Sequence, residues 1–517
     1  MIRLLNKIIF LIYLFRKNYH EVLLSLLVLR KNSASNKNWL IMLNSENNFE
    51  ANIALMAISR KYSKKKWHIK FVFSNNTFFK YFRIKDDISS ALKLFNRNEG
   101  RLEYFKDIKF EWNINFDKRE AIYDNINYFE IIDSSICNFN KSYKIDIESE
   151  NYKKKFFQLI KSSTYIICLC RDIQKNIIQK NISIIMLDAD RFPNAILLEY
   201  FYKKNLINKL SFYSLGKSYS IYNDKGNWHT NKFMLTKSNP LYANHYFAWK
   251  NDFHKWFKNK DVDESSLGNF FTKIYDSKHY ISNNFDYKNK MKKKIKKIIE
   301  NKKNHAKVYC LFAHLFFDRP IIDNTNLFNG MPDWVSKIID IFNESDHILL
   351  IKPHVAETFY PESKKPQQTL INFLKSKTMS ENIIILEPDL FLSSEITKII
   401  DASIIWRSTA FVENIALKIP SIFCGPHSAY TNVLETKNFK NINEFKKELF
   451  NIVNNKITDA ESVKAKALLY YLNVIAVHEV DIQSSMGKIF NNNTFINPFK
   501  LIKYIFNEKY KLNEIKL

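Results

Sequence analysis

The chain has 517 residues, with 79 Lys and Arg against 52 Asp and Glu and a formal net charge of +27. Hydrophobic residues at 46% and aromatics at 15% can build packed cores, which excludes a disordered chain, and the length calls for two or three domains. Only 7 Gly and 11 Pro, with no G-x-G-x-x-G or Walker A run, argue against collagen-like, dehydrogenase and P-loop ATPase architectures.

At the amino terminus, apolar stretches at 8–15 and 22–29 flank the polar segment Arg16-Lys17-Asn18-Tyr19-His20-Glu21. Neither reaches the roughly 20 residues that cross a bilayer, and no small-residue cleavage site follows the first. Interfacial attachment and a helix packed on the protein's own core both remain open. Further on, 39–43, 69–73, 165–169 and 183–187 read as strands, and 52–60 and 195–203 as helices. A first α/β domain follows from that alternation. Residues 250–305 are polar and Lys-rich, so the junction is expected there. Within them 288–303 reads as a solvated amphipathic helix, with Met291, Ile295, Ile298 and Ile299 at helical spacing.

The most legible region is 306–425. Short β-rich runs at 308–313, 348–351, 383–386, 403–406 and 421–424 alternate with helical stretches at 334–342, 367–374, 391–400 and 409–417. Such a βαβ series predicts a doubly wound parallel sheet whose ligands bind at the carboxyl ends of its strands. A last helix at 498–506 follows the break Asn491-Asn492-Asn493. The expected division is 1–270, an amino-terminal Rossmann-like domain; 271–305, a basic helical linker; 306–490, a second Rossmann-like domain; and 491–517, a helix packing back on the first.

Cys137, Cys168, Cys170, Cys310 and Cys424 are odd in number and lack paired spacing, so a disulfide framework or zinc module is unsupported and a reducing cytoplasm fits. Basic patches at Lys64-Lys65-Lys66 and 288–303 come without an RRM-like aromatic signature or a zinc finger, which argues against nucleic acid as the main partner. An anionic membrane surface or a phosphorylated substrate would use the same charge.

Four segments could carry chemistry. Ile348 to His354 is an apolar strand ending in Lys352 and His354, a cation and an imidazole placed to bind phosphate or protonate a leaving oxygen. The bland reading is a loop-capping histidine. In 401–409 a strand runs into Arg407, Ser408 and Thr409 at a helix start, a pattern suited to an anion, with Glu413 one turn on to accept from sugar or ribose hydroxyls. An N-capped core helix with a solvent-facing Glu explains it equally. The strand 308–313 leads through His314 to Asp318, a candidate base or orienting carboxylate, or simply a loop-initiating Asp. Finally, Asp188 and Asp190 form a D-x-D after 184–187, which could hold Mn²⁺ or Mg²⁺ against a nucleotide diphosphate as in GT-A glycosyltransferases.

In chain order, Phe312-Ala-His-Leu-Phe-Phe-Asp318, Asn326-Leu-Phe328 with Trp334, Ile351-Lys-Pro-His354, Arg407-Ser-Thr409 with Glu413, and Ile419-Pro420 to Gly425 with Tyr430 resemble the capsular polysaccharide biosynthesis proteins akin to Kdo-transfer enzymes of bacterial capsule assembly. The resemblance spans about 120 residues, with faint support from 188–192. Where the family shows K-x-H-P this chain has Lys352-Pro353-His354-Val355, and Ser408 stands where the family has Gly.

The resemblance implies a GT-B glycosyltransferase: two Rossmann-like domains facing a cleft, no metal or other cofactor required, and a nucleotide-sugar donor, CMP-linked sugars favoured. It implies donor contacts from Lys352, Arg407, Ser408, Thr409 and Glu413, with His354 and Asp318 as catalytic groups. The expected partners are the donor and a polysaccharide or lipid-linked glycan acceptor, in a cytoplasmic enzyme with peripheral contact at the inner membrane face. The alternatives are a metal-dependent GT-A enzyme using Asp188 and Asp190, and a non-catalytic polysaccharide-binding or assembly protein.

Overall fold

The computed structural model describes residues 37–44, 67–74, 92–96, 101–103, 111–140, 142, 145–186, 192, 194–217, 232–237, 250–276, 285–316, 325–354, 357, 368–425, 430, 433–434, 436–437, 439–475 and 478–479. The apolar stretches before residue 30, the helices expected at 52–60 and 498–506, the terminal segment 491–517, and Asp188, Asp190 and Asp318 lie outside them.

The first unit begins with strands β1 (Asn38–Asn44), β2 (His68–Ser74), β3 (Leu92–Asn96) and β4 (Arg101–Glu103). A small antiparallel sheet follows, of β5 (Asn113–Asn115), β6 (Glu120–Tyr123) and β7 (Ile126–Asn127). Asp124 and Asn125, both at positive φ, turn the β6–β7 hairpin, a conformation these two residue types tolerate. Next come α1 (Phe129–Asn140), α2 (Glu150–Asn176), β8 (Asn181–Met186), α3 (Asn194–Lys203), β9 (Ser211–Lys217) and β10 (Lys232–Lys237). In the eight-stranded sheet, β2, β1, β8 and β9 run parallel in that spatial order, with antiparallel strands outside them.

The strand expected at 165–169 is a correction. It lies inside α2, whose buried Phe156, Ile160, Ile167, Cys170 and Ile173 recur at helical spacing and face the first core. Over five residues an apolar run has no readable period, and only the 27-residue span shows the helix.

The second unit opens with α4 (Lys250–Lys258), α5 (Glu264–Asp276) and α6 (Phe285–Glu300). It continues through β11 (Val308–Phe312), α7 (Gly330–Asn343), β12 (Ile348–Lys352), α8 (Leu370–Leu374), β13 (Ile383–Ile385), α9 (Ser393–Ile396), β14 (Ala402–Ile405), α10 (Ala410–Ala416) and β15 (Ser421–Phe423). Helices α11 (Ile442–Asn451) and α12 (Asp459–Tyr470) follow. The two-residue strand β16 (His478–Glu479) then pairs with β10, returning the chain to the first sheet.

All five strands of the second sheet are parallel, in the order β13-β12-β11-β14-β15. Side chains alternate between its faces, as the two-residue strand period requires. Tyr309, Leu311, Leu349, Ile351 and Ile404 meet α7, α8 and α11 through Trp334, Ile338, Leu374 and Phe445. Val308, Cys310, Ile348, Leu350 and Ile405 meet α10 and α12 on the other face. Burial on both faces is why the central strands β11, β12 and β14 are nearly unbroken apolar runs.

Helices α4 to α6 belong to this second core, contributing Phe253, Leu267, Phe271 and Ile295. Within the basic segment 271–305, α6 therefore packs on the second unit. α6 is also tied to the loop after β13 and to α9: Tyr287 donates to Glu387 (2.8 Å), Lys288 pairs with Asp389, and Lys292 pairs with Glu395 of α9 (2.6 Å). These partners lie about a hundred residues away, so local charge alone reads as solvation. Among the described residues no helix is long and apolar enough to cross a membrane.

Candidate functional site

Numbered from β11, the second sheet has the spatial order 3-2-1-4-5, so its topology reverses between β11 and β14. At that point adjacent connections leave toward opposite faces and open a crevice beyond the carboxyl ends of the strands. Register fixes which residues stand there. Phe312 pairs with Lys352 of β12 and with Ile405 of β14, and Ile405 pairs with Phe423 of β15. Two residues beyond these partners are His354, His314, Arg407 and Gly425, one row along the carboxyl edge. The pairing persists past the strands: Ala313 N–H donates to Lys352 O (3.1 Å) and Cys424 N–H to Ile405 O (2.8 Å).

The row brings together groups far apart in sequence. The His314 and His354 rings lie 5.2 Å apart between centroids, both half-buried. Arg407, half-buried, follows Trp406, whose fully buried indole packs on Trp334 at 5.2 Å and on Phe328 at 5.9 Å, fixing the backbone just before it. Gly425 is required by closeness. A Cβ there would fall 1.9 Å from the Trp406 carbonyl oxygen, so only glycine lets β14 and β15 end side by side.

Behind Arg407, the Ser408 hydroxyl accepts from the Ala410 N–H (3.1 Å) and its carbonyl accepts from Phe411 N–H (3.2 Å). Ser408 thus supplies the capping oxygen of α10, while Thr409 occupies the cap position without a side-chain bond. The alternative of a solvent-facing Glu413 does not hold, since the residue is only 4% exposed, one turn into α10. Beside it Asn414 donates to Ser403 Oγ (2.9 Å), which shares a hydrogen bond with Ser421 Oγ (2.6 Å), locking α10 to β14 and β15.

Lys352 departs from a surface phosphate ligand. It ends β12 on the helix-packed face that also holds Cys310, is nine-tenths buried, and donates through Nζ to the Pro388 carbonyl (3.2 Å). Burial drives its ammonium pKa down, opposed by the field of Asp389 and Glu395. Alternation forces this placement, because Ile348, Leu350 and Lys352 share one face of the strand. Close by, Glu357 anchors the turn after His354. Its N–H donates to His354 O (3.0 Å), and its carboxylate accepts from Leu370 N–H (2.9 Å) at the start of α8. Burial raises that carboxyl from 4.5 to about 7.

Sequence reading passed over His314 and Glu357. The signal for His314 was available: it stands as far beyond its strand as His354 stands beyond the neighbouring one. Glu357 had none, since its burial depends on a helix thirteen residues away. Among the described residues no group of three metal-ligating side chains occurs, and Asp188 and Asp190, which follow β8, are outside them.

Two α/β units, one on a mixed sheet with a parallel centre and the other on an all-parallel sheet that reverses at its switch point, define a Rossmann-like α/β protein. No protein-family model and no curated protein matches the chain. Among solved structures it is similar to Thermosulfurimonas dismutans KpsC, a beta Kdo 2,7 transferase, at 10% identity and TM-score 0.33, over 66% of this chain and 88% of that one. It is also similar to the Methanocaldococcus jannaschii UDP-GlcNAc 2-epimerase solved with UDP-GlcNAc and UDP, at 13% identity and TM-score 0.27, over 84% and 99%. The Staphylococcus aureus MnaA–UDP structure aligns at 12% identity and TM-score 0.28, over 87% and 97%.

Proposed function

We propose that the carboxyl edge of the second sheet binds the phosphate of a nucleotide-sugar donor, and that the chain transfers the sugar to a surface polysaccharide or lipid-linked glycan. The observation that carries this reading is the register row His354–His314–Arg407 at the switch point. A glycosyl donor leaves as a nucleotide phosphate, and charge grows on its oxygens as the sugar–oxygen bond breaks. Fixed cations and N–H donors aimed at those oxygens stabilise that charge.

In this reading Arg407, Ser408 and Thr409 hold the donor phosphate, and His354 neutralises or protonates the departing oxygen. His314, beside it, is the second imidazole of the site. Glu413 accepts from sugar or ribose hydroxyls once the donor enters, and Asp318 orients the attacking hydroxyl. Lys352 acts from beneath the edge as a buried positive charge. The donor's charge is then met by side chains without a metal ion, and CMP-linked sugars are the first donors to try.

The test is donor turnover with EDTA present, for the unmodified chain and for His354→Ala and Glu413→Gln. The reading expects turnover to survive EDTA and to fall in both variants. Full activity in both removes the site assignment. Loss with EDTA and recovery with Mn²⁺ would instead favour Asp188 and Asp190.

A further inference from the structure

The charge on α6 has a direction. With about 100° per residue, Met291, Ile295 and Ile299 point one way and enter the second core, while Lys290, Lys293, Lys294 and Lys297 fall on the opposite side at i, i+3, i+4 and i+7. All four are exposed, whereas Lys288 and Lys292 fall on the core side and are used in ion pairs. Among the described residues no acidic side chain pairs with these four. Like charges at these spacings repel and weaken a helix, so the stripe is held by the core packing of the other face.

The stripe also has a place. The first turns of α6 are fastened to Glu387 and Asp389, which flank Pro388. Pro388 is the β13 member of the edge row, two residues beyond the register partner of Lys352, since Ile351 pairs with Ile385. At the start of the stripe, Tyr287 is 47% exposed and its hydroxyl is fixed on Glu387, so an exposed aromatic residue stands at the head of the lysines.

We propose that the Lys290–Lys293–Lys294–Lys297 face of α6, with the Tyr287 ring at its head, is a docking surface for a polyanionic glycan chain. Four ammonium groups over about 10 Å of helix suit a polymer that repeats carboxylates or phosphates along its length. The flat apolar C–H face of a pyranose packs on an aromatic ring, which a lipid headgroup does not need. A membrane-lying helix would instead keep its apolar face free, and on α6 Met291, Ile295 and Ile299 are spent on the core while Ile298 alone among its aliphatic residues is exposed, at 38%. Naming the bound polymer as the acceptor rests on the transfer reading above; binding itself does not.

The experiment measures binding of fluorescein-labelled polysialic acid to the full chain across a salt series. Neutral dextran and vesicles of equal phosphatidylcholine and phosphatidylglycerol are run in parallel. Polysialic acid should bind and dextran should not. Replacing all four stripe lysines by Gln should weaken binding at least about tenfold, with the log–log salt slope falling by roughly one per lysine. Tyr287→Leu should weaken binding further than Tyr287→Phe. A net-charge control carries Gln at the exposed Lys118, Lys209, Lys375 and Lys447. Equal losses in control and stripe variants overturn the proposal, as does unchanged binding in the stripe variant or capture of vesicles without capture of polysialic acid. His354→Ala should bind as the unmodified chain does, which separates this surface from the edge site.

Discussion

Two imidazoles with centroids 5.2 Å apart are close enough to act on one bound oxyanion, one holding a proton while the other accepts or donates a hydrogen bond. If they serve one phosphate, His314→Ala should lower donor turnover by about a hundredfold, as His354→Ala should, the usual scale for a proton-transfer group. The double variant should be little worse than the weaker single, because groups acting as a unit are not additive. Steady-state kcat values of the three variants check this, and a His314→Ala enzyme with full turnover would remove His314 from the site. Glu357 gives a second residue-scale expectation. Its carboxyl is raised from 4.5 to about 7, first by burial, and its second oxygen lies buried with no hydrogen-bond partner among the described residues. The folded state therefore holds this proton more tightly than the unfolded one. The resulting stability is complete below about pH 4.5 and is lost as pH rises through about 7. Glu357→Gln keeps an acceptor for Leu370 N–H without a titrating group. Relative to that variant, the unmodified chain should lose about 3 kcal/mol between those two pH values. Urea midpoints of both proteins across that range give the measurement, and parallel curves would refute it.

At the scale of elements, the site depends on how closely β14 and β15 end. Gly425→Ala puts a methyl group 1.9 Å from the Trp406 carbonyl oxygen, a distance that backbone must yield to. The expected relief is a separation of the two strand ends, with loss of the Cys424–Ile405 hydrogen bond and a destabilisation of about 2–4 kcal/mol. Arg407 follows Trp406 directly, so donor affinity should fall even where the variant folds. Thermal unfolding together with donor titration separates the two effects, and an unchanged Tm would refute the claim of closeness. The same strands show how far the sequence can be read. β11 to β15 are legible because each reads as a short apolar run, with β11, β12 and β14 buried throughout and the edge strands β13 and β15 buried in part. Once they pair in register, equal offsets place His354 and Arg407 in one row. The span 165–169 misled because α2's period shows only over its full length. Lys352 could not be placed by motif, because strand alternation turns it inward although it neighbours His354. The docking of α6 was invisible locally, its partners being Glu387, Asp389 and Glu395.

The described part of the molecule has separate hydrophobic cores. One lies under the eight-stranded sheet, from Trp39 to Phe212, and two line the faces of the five-stranded sheet, together with α4 to α6. Units with their own cores need not unfold together, so a single two-state transition is not required of this chain. A donor held at the His354–His314–Arg407 edge rests on the second unit's sheet. It should therefore raise the transition in which that sheet unfolds by about 2.7 kcal/mol at a hundred times its Kd, and move a first-unit transition less. Scanning calorimetry against CMP-, UDP-, GDP- and CDP-linked sugars reads both the identity of the donor and the unit that holds it. The intrinsic fluorescence of Trp334 and Trp406, buried in the second core, reports its unfolding directly. Trp39 and Trp112 report the first, the former buried in its core and the latter packed against it. Protection of the Trp334–Trp406 signal by one nucleotide class, abolished by Arg407→Ala, is the expected result. Protection of the first-unit signal alone would move the donor site to the other sheet.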